Sequence, residues 1–293
     1  MRDNINSITR SEGLRLVLGG TGKTGRRIVE RLESRGVPTR VASRAADPSF
    51  DWSDPSTWDA ALDGVTAAYI SYAPDLAIPG ATDAIRDFVE KAVEHGVQRL
   101  VLLSGRGEEE AQLCERIVQD AGIEWTVVRA SWFNQNFSEG EFLDMVLAGA
   151  ITLPAGDVPE PFVDVDDIAD VAVAALTEDG HVSQIYEVTG PRMLTFAEAV
   201  QEIGRASGRE IQYSQIPGEA FAAGIAESGA PEDVAWLLHY LFSTVLDGRN
   251  AYVCNGVQRA LGREPTDFAE YARRIAASGV WNVSSPLDSA VGQ

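Results

Sequence analysis

Apolar residues fall in short, nearly unbroken runs separated by stretches with helical spacing. Residues 14–19 form the first run and end in glycine, which reads as a strand buried on both faces. Residues 23–35 follow, with Ile28, Val29 and Leu32 at helical intervals. The same alternation predicts strands at 39–43, 66–72, 99–104 and 124–129, with helices at 58–62, 82–95 and 109–121. Repeated strand–helix units of this kind build a parallel sheet through right-handed crossovers.

Beyond Ala130 the regularity breaks. Residues 131–137 are aromatic and amide-rich, too polar for a buried strand. The pattern then predicts a helix over 139–148, a strand over 161–165 and a helix over 166–176 that opens on acidic residues, as the helix dipole favours. A strand at 184–188 precedes a helix over 195–207, where Thr195 and Glu198 have capping-box spacing. From Ile211 onward the chain reads as mostly helical, including 232–246 and 266–277. The fold class expected is therefore α/β: a Rossmann-type parallel sheet flanked by helices, with a small, mainly helical C-terminal substrate lobe over the carboxyl ends of the strands. Residues 14–130 are expected to make the regular core of this sheet. Residues 131–282 add the remaining strands and the lobe, which does not fold alone, and 1–13 and 284–293 are expected to be flexible tails.

Composition narrows the partners. The chain has 293 residues, 45% of them hydrophobic, enough for one large core with an appended lobe. A net charge of −20 repels phosphate backbones and anionic membranes, so neither nucleic acid nor membrane is expected as a partner. No apolar stretch reaches membrane-spanning length, and the polar start lacks a leader-like apolar segment, which points to the cytoplasm. Cys114 and Cys254 read as reduced thiols. His95, His181 and His239 have no metal-ligand spacing, and no metal site is expected.

The densest chemistry lies in residues 16–25, where Gly19, Gly22 and Gly25 link the first strand to the first helix. Gly19 permits a tight turn, Gly22 lets backbone approach a pyrophosphate, and Gly25 lets helix pack on strand. The helix start then offers free N–H groups, so Thr21, Lys23 and Thr24 join the candidate cofactor set. At the end of the second strand stand Ser43 and Arg44, where an acidic residue would suit a ribose hydroxyl and an arginine suits a 2′-phosphate. NADP(H) is therefore expected over NAD(H). Asp51 either borders the adenine or belongs to a turn.

The segment 19–25 (GGTGKTG), Ser104, Trp125-Thr126-Val127-Val128-Arg129 and Trp132-Phe133-Asn134-Gln135-Asn136-Phe137 together resemble the NmrA-like branch of the atypical short-chain dehydrogenases. The later stretches 162–169 (FVDVDDIA) and 186–191 (YEVTGP) are similar to the same branch, so the resemblance covers about residues 14–215. It implies a Rossmann sheet, NAD(P)(H) binding and a substrate cleft under the lobe. The branch holds quinone and isoflavone-type reductases beside regulators that bind dinucleotide without turnover.

Ordinary short-chain dehydrogenases place a lysine four residues after a catalytic tyrosine. This chain has two lysines, Lys23 and Lys91, and none of its seven tyrosines has that partner. Ser104 either polarises a substrate carbonyl or caps the next helix; Tyr72 is either a proton donor or a packing group. Trp132, Phe133, Asn136 and Phe137 make a candidate wall for a planar, quinone-like acceptor, or else pack the lobe onto the sheet. Two readings follow: an NAD(P)H-dependent oxidoreductase acting on a small planar acceptor such as a quinone or enone, and a non-catalytic NADP(H) sensor. A homodimer is the candidate assembly.

Overall fold

In the computed structural model, which describes residues 13–283, strand β1 (Leu14–Leu18) is an interior strand of the main sheet with Leu16, Val17 and Leu18 fully buried. Its side chains serve two cores. Leu16 and Leu18 point to one face of the sheet and Val17 to the other, as a pleated strand with both faces covered must arrange them. The expected tails, apart from Gly13, lie outside the described residues.

Helix α1 (Lys23–Ser34) follows β1 and buries Ile28 and Leu32. Strand β2 (Thr39–Ala42) comes next, then the short helix α2 (Trp58–Leu62), strand β3 (Val65–Ile70) and helix α3 (Ala81–Glu94). Strand β4 (Arg99–Gly105), helix α4 (Glu109–Gln119) and strand β5 (Glu124–Ala130) complete the regular half. Across the sheet the alternation persists: Ala68, Ile70, Leu100 and Leu102 share a core with α2, α3 and α4, while Ala67, Tyr69, Val101 and Val128 share the opposite one.

After β5 come two short helices, α5 (Asn136–Glu139) and α6 (Leu143–Ala148), strand β6 (Ala150–Leu153) and helix α7 (Val165–Thr177). Strand β7 (Gln184–Val188), helix α8 (Phe196–Ser207), strand β8 (Gln212–Gln215) and helices α9 (Gly218–Glu227) and α10 (Glu232–Tyr240) follow. The chain ends its described part with α11 (Gly256–Leu261) and α12 (Phe268–Ser278). The main sheet has six parallel strands in the order β2-β1-β3-β4-β5-β7. The chain crosses from β2 over β1 to reach β3, so the order reverses between β1 and β3. A crevice opens at the carboxyl ends of strands at such a reversal.

Three expectations needed correction. Residues 161–165 make no strand; Val163 forms only an isolated bridge to Phe133, and Glu160 one to Leu194. The helix expected over 139–148 is broken at Gly140, whose backbone is extended. The helix expected over 232–246 leaves α-geometry at Leu241–Val245, a π-turn. The small parallel pair β6–β8 was not anticipated, because two four-residue strands, of which only β6 alternates buried and exposed positions, carry too little pattern. The lobe has its own core, in which Phe137, Phe142, Phe162, Phe196, Phe268, Tyr271 and Trp281 meet.

Candidate functional site

The loop between β1 and α1 lies beside the strand-order reversal. Gly19 has φ of +64°, and its carbonyl accepts the Gly22 N–H at 2.8 Å, closing the turn. A Cβ on Gly25 would overlap that same carbonyl oxygen, so glycine there is a condition of the helix lying this close to the loop. Helix α1 starts at Gly22 without a side-chain cap and without an acid in its first turn. Helices α7, α8 and α12 are capped by Asp164, Thr195 and Asp267, and α3 and α4, uncapped like α1, carry acids in their first turns. The first-turn N–H groups of α1 therefore lack both intrahelical and side-chain acceptors, and they carry the positive end of the helix dipole. A pyrophosphate fits this requirement.

The residues predicted to surround that loop divide. Thr21 and Gly22 are exposed at its tip. Thr24 is buried and its hydroxyl accepts from the buried Tyr69 hydroxyl at 3.0 Å, tying α1 to β3 and leaving only backbone for a ligand. Lys23 Nζ donates to Asn136 Oδ1 at 3.1 Å and to Glu141 at 3.3 Å. Asn136, expected on the acceptor wall, thus stands on the phosphate side and orients a lysine there.

At the end of β2, the Ser43 carbonyl accepts from the Ala46 and Phe50 N–H groups, at 3.2 and 2.9 Å, and folds the chain back. Arg44 is exposed beyond it. The Asp51 carboxylate accepts the Ser53 N–H at 2.9 Å and its hydroxyl at 2.7 Å. Those two bonds, with the Arg44 charge behind them, hold its carboxyl below the usual range. Asp51 is a turn residue in this structure. Tyr72 packs on Trp52, ring centroids 4.9 Å apart, in an aromatic group with Phe50, Trp58 and Phe88. Burial pushes its hydroxyl up, and the packing role describes it.

Ser104 is corrected in the same way. It is buried at the end of β4 and donates to Glu115 at 2.6 Å. Arg129 closes on Glu115 with bonds of 2.9 and 2.5 Å and on Glu187 at 2.8 Å. The serine neither caps α4, whose N-cap is Glu108, nor presents a free hydroxyl to an acceptor. Phe137 is fully buried among Phe142, Phe162, Phe196 and Phe268, so it belongs to the lobe core and not to a wall. Trp132 packs on Phe196 and Phe242 at 5.2 and 5.1 Å and Phe133 on the sheet core; both are only partly buried and follow β5 directly.

The polar groups that sequence reasoning missed lie at the ends of β4 and β5. Among the described residues, buried polar atoms without a hydrogen-bond partner include Glu108 Oε2, both amide atoms of Asn134, and Glu160 Oε1. Such orphans are rare in folded proteins and call for a ligand, a water or a catalytic role. Glu160 is fully buried; its other oxygen accepts from Ser131 at 3.3 Å. Burial pushes its carboxyl up to about 7, against the pull of Arg106 and the Ser131 bond. Arg106, also buried, reaches the carbonyls of Asn250 and Tyr252, both at 3.4 Å, and so joins the end of β4 to the loop that covers it. In a chain with 44 acidic residues, nothing in the local sequence marks Glu108 or Glu160 as buried. No described group of three or more metal-ligating side chains is present, and no described helix is long and apolar enough to cross a membrane.

Residues 12–272 match the NmrA-like family. The chain is 32% identical over 273 residues to the uncharacterized oxidoreductase YesF of Bacillus subtilis (strain 168), covering 89% of this chain and 95% of that protein. It is 30% identical over 292 residues to the NAD(P)H azoreductase of Xenophilus azovorans, covering 90% and 98%. The fold is similar to that of the NADPH-dependent quinone oxidoreductase QOR2 of Escherichia coli solved with NADPH, with a TM-score of 0.71 at 21% identity, covering 89% of this chain and 99% of that one.

Proposed function

The chain belongs to the NmrA-like family, and on that premise we propose that it is an NAD(P)H-dependent oxidoreductase reducing a small planar acceptor, quinone-like or enone-like. The observation that carries this reading is the presence of two features at the carboxyl ends of one sheet. An uncapped helix start behind a glycine loop after β1 suits a dinucleotide, and after β4 and β5, on the far side of β3, lie buried polar atoms without partners. The names of the relatives, an oxidoreductase and an NAD(P)H azoreductase, support the same chemistry.

When bound, the reduced dinucleotide supplies the hydride. The chain's own residues hold and orient. The N–H groups at the start of α1 and the Lys23 ammonium, steered by Asn136 and Glu141, meet the pyrophosphate. Arg44 meets a 2′-phosphate, which gives NADP(H) its preference over NAD(H). Trp132 and Phe133, partly open after β5, stack against a planar acceptor. No tyrosine–lysine pair is needed to orient such an acceptor, whose reduced anion is stabilised by resonance.

Steady-state NADPH oxidation across quinones, enones and azo compounds tests the reading. Turnover of at least one class supports it; saturable NADPH binding with no turnover of any class rejects it. A dinucleotide-responsive regulator is the second reading, favoured by one observation: the Ser104 hydroxyl is already taken by Glu115.

A further inference from the structure

Asp75 lies in the loop after β3 and Glu108 in the loop after β4, adjacent strands of the sheet. Their carboxyl groups lie within hydrogen-bonding reach of one another, Asp75 being the more exposed of the two. Two carboxylates have only acceptor oxygens, so groups this close share a bond only when a proton lies between them. Glu108 is buried, at 6% exposure, and one of its oxygens has no hydrogen-bond donor. Its carboxyl lies directly against the last residue of β4: a Cβ on Gly105 would overlap it. Gly105 is in register with Ala130 of β5, next to Ser131, whose hydroxyl serves Glu160. The orphaned amide of Asn134 belongs to the same loop after β5.

We propose that the Asp75–Glu108 pair is the proton store of this site and protonates the reduced acceptor, the task that Tyr and Lys perform in ordinary short-chain dehydrogenases. The inference rests on the oxidoreductase reading above. In the balanced step, an enone or quinone gains a hydride with both its electrons at one atom, and negative charge develops on its oxygen. The O–H bond of the pair breaks, the proton forms an O–H bond on the acceptor, and the electron pair stays on the carboxylate. Water then returns one proton to the pair.

The surroundings keep the proton in place. Burial, then the Asp75 charge and hydrogen bond, then Glu110 and Glu115 on α4 push Glu108 upward. Burial likewise raises Asp75, against the Ala77 N–H and the Glu108 bond, and Cys114 of α4 lies close enough to feel its charge. From the lobe, Tyr240 of α10 faces the same acids and donates to Glu110 at 2.8 Å. Arg249 approaches from the 247–254 side but is spent on Asp247 and on the Gly107 carbonyl at 3.0 Å.

Infrared titration of the protein without dinucleotide tests the store directly. Above pH 7, where Glu160 is largely ionised, the wild type should retain a protonated-carboxyl stretch that Glu108→Gln and Asp75→Asn each remove. Kinetics then test its use. Glu108→Gln should bind NADPH like the wild type by calorimetry, yet reduce a saturating quinone or enone on the order of 10²-fold more slowly. The alkaline fall in wild-type kcat/KM should be absent in the variant. No such stretch in the wild type, its survival in both variants, or a wild-type rate and pH profile in Glu108→Gln overturns the proposal alone. Failure of the wild type to reduce any acceptor overturns the oxidoreductase reading and this inference together.

Discussion

A Cβ on Gly22 would meet only the Gly19 carbonyl oxygen, at 3.2 Å, and Gly22 itself is exposed with an extended backbone. Gly22→Val should therefore fold with a near-normal melting temperature and lose dinucleotide binding, because the branched side chain stands where phosphate approaches. Gly25→Ala, which overlaps the Gly19 carbonyl, should lose stability by about 1–3 kcal/mol through overpacking, read as a lower denaturant midpoint. At Arg44 the expected signature is selectivity: Arg44→Ala weakens NADPH by about 1.5–3 kcal/mol and leaves NADH unchanged, as calorimetry would read it. Equal losses for both would remove Arg44 from the 2′-phosphate site. Glu160 gives a pH prediction. Its folded carboxyl sits near 7 while the unfolded one is ordinary, so the folded state holds the proton more tightly. The stability this confers is present in acid and lost as pH rises toward 7, roughly 3 kcal/mol in all. Glu160→Gln should flatten the wild-type fall in melting temperature over that window; an unchanged slope would show that Glu160 is ionised throughout. The glycine loop was legible in the sequence because its spacing is local. Ser104 was misjudged because its partner Glu115, eleven residues away, is identified only by packing.

The strands and helices of the first half were legible because each is long enough to repeat its pattern; β1, α1, β3, α3, β4 and α4 lie within a few residues of their expected bounds. The lobe was less so. Gly140 splits a continuous apolar pattern into α5 and α6, and a Cβ there would meet the Lys23 ammonium at 2.6 Å, a contact no periodicity reveals. Phe137 illustrates the same limit, since an aromatic beside a predicted cleft has the same sequence signature whether it faces ligand or core. With its ring buried among four phenylalanines, Phe137→Ala should cost about 3–5 kcal/mol in chemical denaturation. A near-wild-type midpoint would mean that the ring borders an open cleft. The lobe is also tied to the phosphate loop by charge. Arg27 of α1 holds Glu139 of α5 at 2.8 Å, and Arg31 holds Asp166 and Asp170 of α7 at 2.8 and 2.6 Å. Helix α1 is thus fastened both to α5, at the start of the lobe, and to α7, which packs on the sheet.

On the scale of the molecule, six parallel strands place the reversal of strand order, the glycine loop and the unpartnered carboxyls along one edge of the sheet. That edge was foreseeable from the alternation of strands and helices. The acids gathered along it were not, because a chain of net charge −20 offers no contrast by which to single out a buried glutamate. The proposed chemistry moves a hydride from a dinucleotide to a planar acceptor along this edge. Its most direct test is a single turnover with NADPH carrying deuterium at the nicotinamide C4, mixed with protein in excess and a panel of quinones, enones and azo compounds. Hydride transfer predicts loss of the reduced-nicotinamide absorbance with at least one acceptor and a primary isotope effect from only one of the two C4 positions. With an acceptor that gains a stable C–H bond, deuterium should appear in the product. Bound NADPH that stays reduced with every acceptor would contradict it.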